Sequence, residues 1–105
     1  MAKLPDSIRK FFESTNDGDT ATLLGCFTAH ATLNDCGRRF EGQAGVASWD
    51  STDNIGVQSH IDVLNAITSQ DSYVVTVRVS GNGFNGTGRM HFLLDDDKIA
   101  KLDIT

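Results

Sequence analysis

The feature that most constrains this chain is a change of hydrophobic period about half-way along it. From Val57 onward apolar side chains recur at every second residue, in "VQSHIDVLNAI", "YVVTVRVS", "GTGRMHFLL" and "KIAKLDI". A period of two is the signature of strands, and the Val and Ile that fill these runs suit a pleated surface. The links between them, "TSQDS", "GNGFNG" and "DDD", are short and polar. Short links join antiparallel neighbours, because a parallel pair needs a crossover of a dozen residues or more. Four consecutive strands in an antiparallel meander are expected.

Before Val57 the period is helical. Ile8, Phe11, Phe12 and Thr15 fall at helix spacing behind Pro5, whose missing N–H does no harm in a first turn. This predicts a helix over about residues 5–16. "NDGD" at 16–19 supplies Gly18 to end that helix and Asp19 to cap a second, with Leu23, Leu24 and Phe27 facing inward. Residues 31–35 alternate, and Gly37 lets the chain reverse into "RRFEG", which predicts a short hairpin. Val46 and Trp49, at i and i+3, predict a third helix over about residues 43–53 with Trp49 turned inward. The order is that of an α+β fold in which three N-terminal helices cover one face of a curved antiparallel sheet.

At 105 residues the chain has room for one domain with one modest core, spanning residues 1–105. Fourteen acidic against nine basic residues give a formal charge of -5. No basic block follows a phosphate backbone, so nucleic acid is not expected as a partner. "MAKLPDSIRKFF" has no apolar stretch of signal-peptide length, and nowhere do about 18 apolar residues run together. A cytoplasmic protein that does not enter the membrane is expected.

Several motifs dissolve when their chemistry is considered. "GNGFNG" at 81–86 has the spacing of a dinucleotide loop, but a strand follows it where a helix N-terminus is needed to meet the pyrophosphate. "NGT" at 85–87 is a glycosylation sequon in form only and reads as hairpin chemistry. "DDD" at 95–97 lacks the spaced oxygen ligands of a calcium loop. His30, His60 and His91 lie some thirty residues apart, and Cys26 and Cys36 form no CxxC. Neither a metal nor a cofactor is expected, and the cysteines read as free thiols.

Two strand histidines have faces to assign. In "GRMHFLL", Met90, Phe92 and Leu94 share one face, and Arg89, His91 and Leu93 the other. In "QSHIDVL", His60, Asp62 and Leu64 oppose Ile61 and Val63, and alternation alone does not say which set meets the helices.

The set "STNDGDTATLLGCFTAHATLNDCG…FEGQAGVASW", with "DDDKIAKL" near its end, resembles the nuclear transport factor 2-like superfamily (cystatin-like in fold), in its SnoaL-like and ketosteroid-isomerase-like branches. The resemblance covers nearly the whole chain. It implies a sheet curled into a cone around an apolar pocket, closed at its narrow side by the helices. Isomerases, cyclases, hydrolases and carriers share that fold, so it does not by itself give the function.

The resemblance also implies residue roles. "HATLNDCG" lies over the segment that carries the ketosteroid-isomerase base, which puts Asp35 on the group that moves a proton beside a carbonyl. Phe11 and Met90 fall where that enzyme keeps its two oxyanion donors, and neither side chain donates a hydrogen bond. Steroid isomerisation of that kind is therefore not expected. Trp49, Val75, Val77, Val79 and Phe92, with Phe11 and Met90, are expected to line the pocket around a small apolar ligand.

SnoaL-like cyclases suggest His60 as a polariser beside Asp35, provided it faces the same cavity. Epoxide hydrolases of the fold use an Asp-Arg-Asp trio, for which Asp62 and Arg78 are present. A homodimer through the outer face of the meander, where Arg78, Arg89, His91 and Lys101 alternate with apolar residues, is likewise implied. The competing expectation is a non-catalytic pocket or a dimerisation module, in which Asp35 caps or links the hairpin.

Overall fold

A computed structural model describes residues 3–105. Helix α1 (Asp6–Asp17) buries Ile8, Phe11, Phe12 and Thr15, the stripe that its spacing predicts. Pro5 stands one place outside it as an extended N-cap rather than inside the first turn. Gly18 ends the helix in the left-handed region at φ 72°. There its N–H and that of Asp19 reach the carbonyls of Thr15 and Ser14, which the helix end would otherwise leave free. Asp19 then caps α2 (Thr20–Gly25), accepting from the Thr22 N–H at 3.1 Å and the Thr22 hydroxyl at 2.6 Å. Those two hydrogen bonds hold its carboxyl below the usual carboxylate range.

Strand β1 (Phe27–Asp35) begins four residues before the predicted hairpin, so Phe27 belongs to the sheet and not to α2. It turns through Cys36 (φ 50°) and Gly37 (φ 91°) into β2 (Arg38–Glu41). Two positive φ values in a two-residue loop are the hairpin geometry that matches strand twist. This turn sets the register Asp35↔Arg38, so the acid and the base are cross-strand partners. Helix α3 (Gly42–Asp53) follows directly and buries Val46, Trp49 and Asp50.

The period-two half forms β3 (His60–Ser69), β4 (Ser72–Ser80), β5 (Gly86–Asp95) and β6 (Lys98–Ile104). β3 starts three residues later than its period suggests. Ile55–Val57 is a 3-10 turn, and Gln58 takes φ 56°. The carbonyl of Asn54 accepts the N–H groups of both Val57 and Ser59 and so holds this turn closed. A bulge at Leu64 shifts the β3–β4 register between Val63 and Asn65. It moves the inward positions from Ile61 and Val63 to Ala66, and leaves Ile67 62% exposed on the outer face.

The sheet order is β2-β1-β6-β5-β4-β3, curved and unclosed. The meander is antiparallel as expected, but the sheet as a whole is mixed, because β1 runs parallel to β6. Short-link reasoning speaks only of consecutive strands. The pairing of β1 with β6 is closed by everything between them, and no local signal marks it.

The inner face and the helices share one core. Phe11 is its hub, with ring centroids at 5.2 Å to Phe12, 5.9 Å to Phe27, 5.5 Å to Phe92 and 6.2 Å to Trp49. Burying each such ring contributes about 1.5–3 kcal/mol. Among the described residues no helix is long and apolar enough to cross a membrane.

Candidate functional site

At the open end of the curved sheet, beside the end of α3, lies a cavity of about 320 Å³. Ile61, Val77, Val79 and Met90 give it apolar walls, and Asp35, Arg38, Asp53 and Arg89 bring charge to it. Its size is that of a small-molecule site.

Asp35 is the last residue of β1, and its side chain is 18% exposed. The Trp49 indole N–H donates to its Oδ2 at 3.0 Å. One guanidinium nitrogen of Arg38, Nη2, donates to the same oxygen at 3.1 Å and to Asp53 Oδ1 at 2.8 Å. Among the described residues Asp35 Oδ1 and the remaining Arg38 nitrogens have no partner. Arg38 also lies over the Phe40 ring, 5.6 Å from its centroid, which steadies the guanidinium.

The charges tune one another. The hydrogen bond from Arg38 holds the Asp53 carboxyl below the usual carboxylate range, assisted by the Thr52 hydroxyl at 2.6 Å. Asp53, and after it Asp35, raise Arg38 in turn. Together the three side chains carry one net negative charge beside an apolar volume. Chemically they offer a carboxylate oxygen free to accept a proton, with unpaired N–H donors close by.

Of the residues expected at the pocket, Asp35, Trp49, Val77, Val79 and Met90 line the cavity. Phe11, Val75 and Phe92 do not. They are sealed in the core, where the rings of Phe12, Phe27, Trp49 and Phe92 pack around Phe11.

His60 is also corrected. Ile61 takes the inward position on β3, so His60 and Asp62 turn outward, and Nε2 of His60 lies 3.2 Å from Asp62 Oδ1. The His60 side chain is 55% exposed and outside the cavity lining, so it does not stand beside Asp35. Asp62 and Arg78 are cross-strand partners on that same outer side.

Arg38, Asp53, Asn54 and Ser59 line the cavity and were not anticipated. For Arg38 a signal existed. A two-residue turn at Cys36-Gly37 sets Arg38 across from Asp35. Cys36 is exposed at this rim, whereas Cys26 is buried, which pushes its thiol up.

Comparison with known proteins agrees with this architecture. A family model described as SnoaL-like domain matches residues 8–102. A protein from Sinorhizobium meliloti, described as a candidate polyketide cyclase, superposes with a TM-score of 0.90 at 27% identity, over 97% of this chain and 95% of its own. An NTF2-like protein of unknown function from Cytophaga hutchinsonii gives 0.83 at 14% identity, over 100% and 93%. The Delta 5-3-ketosteroid isomerase from Mycobacterium sp. gives 0.80 at 15% identity, over 94% and 88%. No curated protein matches the sequence. With an α+β cone, a cavity at its open end and a family match that runs from α1 to β6, the chain belongs to the SnoaL-like family.

Proposed function

We propose that this protein binds a small, mostly apolar carbonyl compound in the cavity and moves a proton on it, in isomerase or cyclase fashion, with Asp35 as general base. The observation that carries this reading is the Asp35 carboxylate itself. It lines an apolar cavity, is held through Oδ2 by Trp49 and Arg38, and keeps Oδ1 unpaired. A base must be fixed in place and still have a lone pair to offer. Arg38 supplies the positive charge that the developing enolate needs, through N–H groups that Asp35 and Asp53 leave free. It takes over the task that Phe11 and Met90 are unable to perform.

Deuterium exchange beside the carbonyl of β-tetralone, followed by NMR in heavy water, tests this. The wild type should accelerate exchange over buffer, and Asp35→Asn should lower that acceleration by about 10²–10⁴-fold. A variant as fast as the wild type would sink the reading.

The ion pair with Arg38 favours a second reading, ligand binding without turnover. Binding of β-tetralone with no acceleration of exchange would support it. We further infer a homodimer through the outer face of β3–β6, where Leu64, Ile67 and Leu93 are exposed between charged neighbours. Sedimentation should report a mass near twice 11.4 kDa, and a monomer at micromolar concentration would refute this.

A further inference from the structure

Of the other polar side chains that line the cavity, two are almost wholly buried. Asn54 is 2% exposed and Ser59 6%. They are neighbours, since the Ser59 N–H donates to the Asn54 carbonyl at 3.0 Å with the 3-10 turn folded between them. Ser59 also shares its face with Ile61, another lining residue, by the alternation of the chain into β3.

The Asn54 amide is fixed end to end. Its Nδ2 donates to Thr15 Oγ1 at 3.0 Å and to Asp50 Oδ1 at 3.0 Å, which uses both protons. Asp50 Oδ1 also takes the Ile55 N–H at 3.4 Å, and Oδ2 takes the Thr20 hydroxyl at 2.9 Å. Asp50 therefore faces the nitrogen of Asn54, and Oδ1 of Asn54 is left over.

Among the described residues neither Asn54 Oδ1 nor Ser59 Oγ has a hydrogen-bond partner. Neither is sealed off, as the one unpartnered side-chain oxygen shut from solvent is Ser7 Oγ. Each oxygen therefore keeps some solvent contact, and both residues line the cavity. A buried polar atom held in place without a partner is a place for a ligand atom.

The chemistry of that atom follows. Asn54 Oδ1 only accepts, whereas Ser59 Oγ both accepts and donates. A ligand hydroxyl satisfies the pair, donating to Asn54 and accepting from Ser59. A carbonyl or carboxylate oxygen has no proton to give Asn54 Oδ1, so neither satisfies both partners.

We propose that Asn54 and Ser59 form a hydroxyl-recognition site, so that the ligand is a neutral, mostly apolar molecule carrying an alcohol or phenol group. This rests on reading the cavity as a small-molecule site, and not on Asp35 acting as a base.

β-Naphthol and β-methylnaphthalene have nearly the same shape and differ in whether they carry the hydroxyl. By equilibrium dialysis at neutral pH, the wild type should bind the naphthol at least about tenfold more tightly than the hydrocarbon. Ser59→Ala, which removes an oxygen with no protein partner, should cut that ratio to below about threefold. Equal affinities in the wild type, a ratio unmoved in Ser59→Ala, or binding of neither compound would overturn the proposal. If the ratio fails while β-tetralone exchange persists, the hydroxyl site alone falls. If the ratio holds while exchange is absent, the base role alone falls.

Discussion

The indole nitrogen of Trp49 lies 3.0 Å from Oδ2 of Asp35, and this bond ties the middle of α3 to the last residue of β1. Trp49 is stacked against Phe11 at an interplanar angle of 17°. Position is thus passed from the aromatic core to the carboxylate through one rigid ring.

Replacing Trp49 with Phe keeps most of the ring and removes the N–H. The variant should lose about 1–2 kcal/mol in urea unfolding, from the hydrogen bond and the smaller ring. β-Tetralone exchange should fall with it, since Asp35 loses one of the two groups that orient it.

Arg38→Gln should alter the pH dependence of stability. The folded Asp53 carboxyl sits below its ordinary value of 3.8 because Arg38 is bonded to it. Folding therefore favours the charged form, so the stabilisation is complete above that value and fades as pH falls through the lower folded one. The Tm difference between wild type and variant should be flat above about pH 5 and shrink steadily below about pH 4. A difference that grows on acidification would contradict the pairing.

Phe11→Tyr puts a hydroxyl at the position where the resemblance implies an oxyanion donor, and it should not create that chemistry. Phe11 is fully buried among Phe12, Phe27, Phe92 and Trp49, so the added hydroxyl finds aromatic edges and no cavity. Thermal or urea unfolding should show a loss of about 1–3 kcal/mol, with no gain in exchange activity.

Gly56→Ala should be more damaging than any of these. A Cβ on Gly56 would lie 1.5 Å from the Ser51 carbonyl oxygen, so backbone must move. A loss of about 3 kcal/mol or more in urea unfolding is expected. Because Gly56 lies in the turn between Asn54 and Ser59, the preference for β-naphthol should vanish even in protein that remains folded.

Much of this was legible in the residues. Period and punctuation locate α1, α3 and the four-strand meander, because each depends on side chains close in sequence. Asp19 and Gly18 mark the corner between helices for the same reason. The pocket was legible at Asp35, Trp49, Val77, Val79 and Met90. His60 was misplaced because alternation gives two faces without naming the inner one. Asn54 and Ser59 are not marked by any period, because they flank a 3-10 turn that lies between the helical and the strand pattern. The fate of Phe11 depends on how three rings distant in sequence, Phe27, Trp49 and Phe92, fill space around it, which no spacing encodes.

The parallel seam between β1 and β6 sets the order in which the molecule can assemble. Asn34 hydrogen-bonds Asp103 across it, 69 residues away in the chain. Closing so large a loop costs entropy before any contact repays it, so this seam should be slow to form and late. Until residues 98–104 arrive, β1 and β5 each present an unpaired edge to any passing strand. The last strand thus caps two open edges at once, and its arrival should decide whether a chain completes its sheet or offers those edges to another chain.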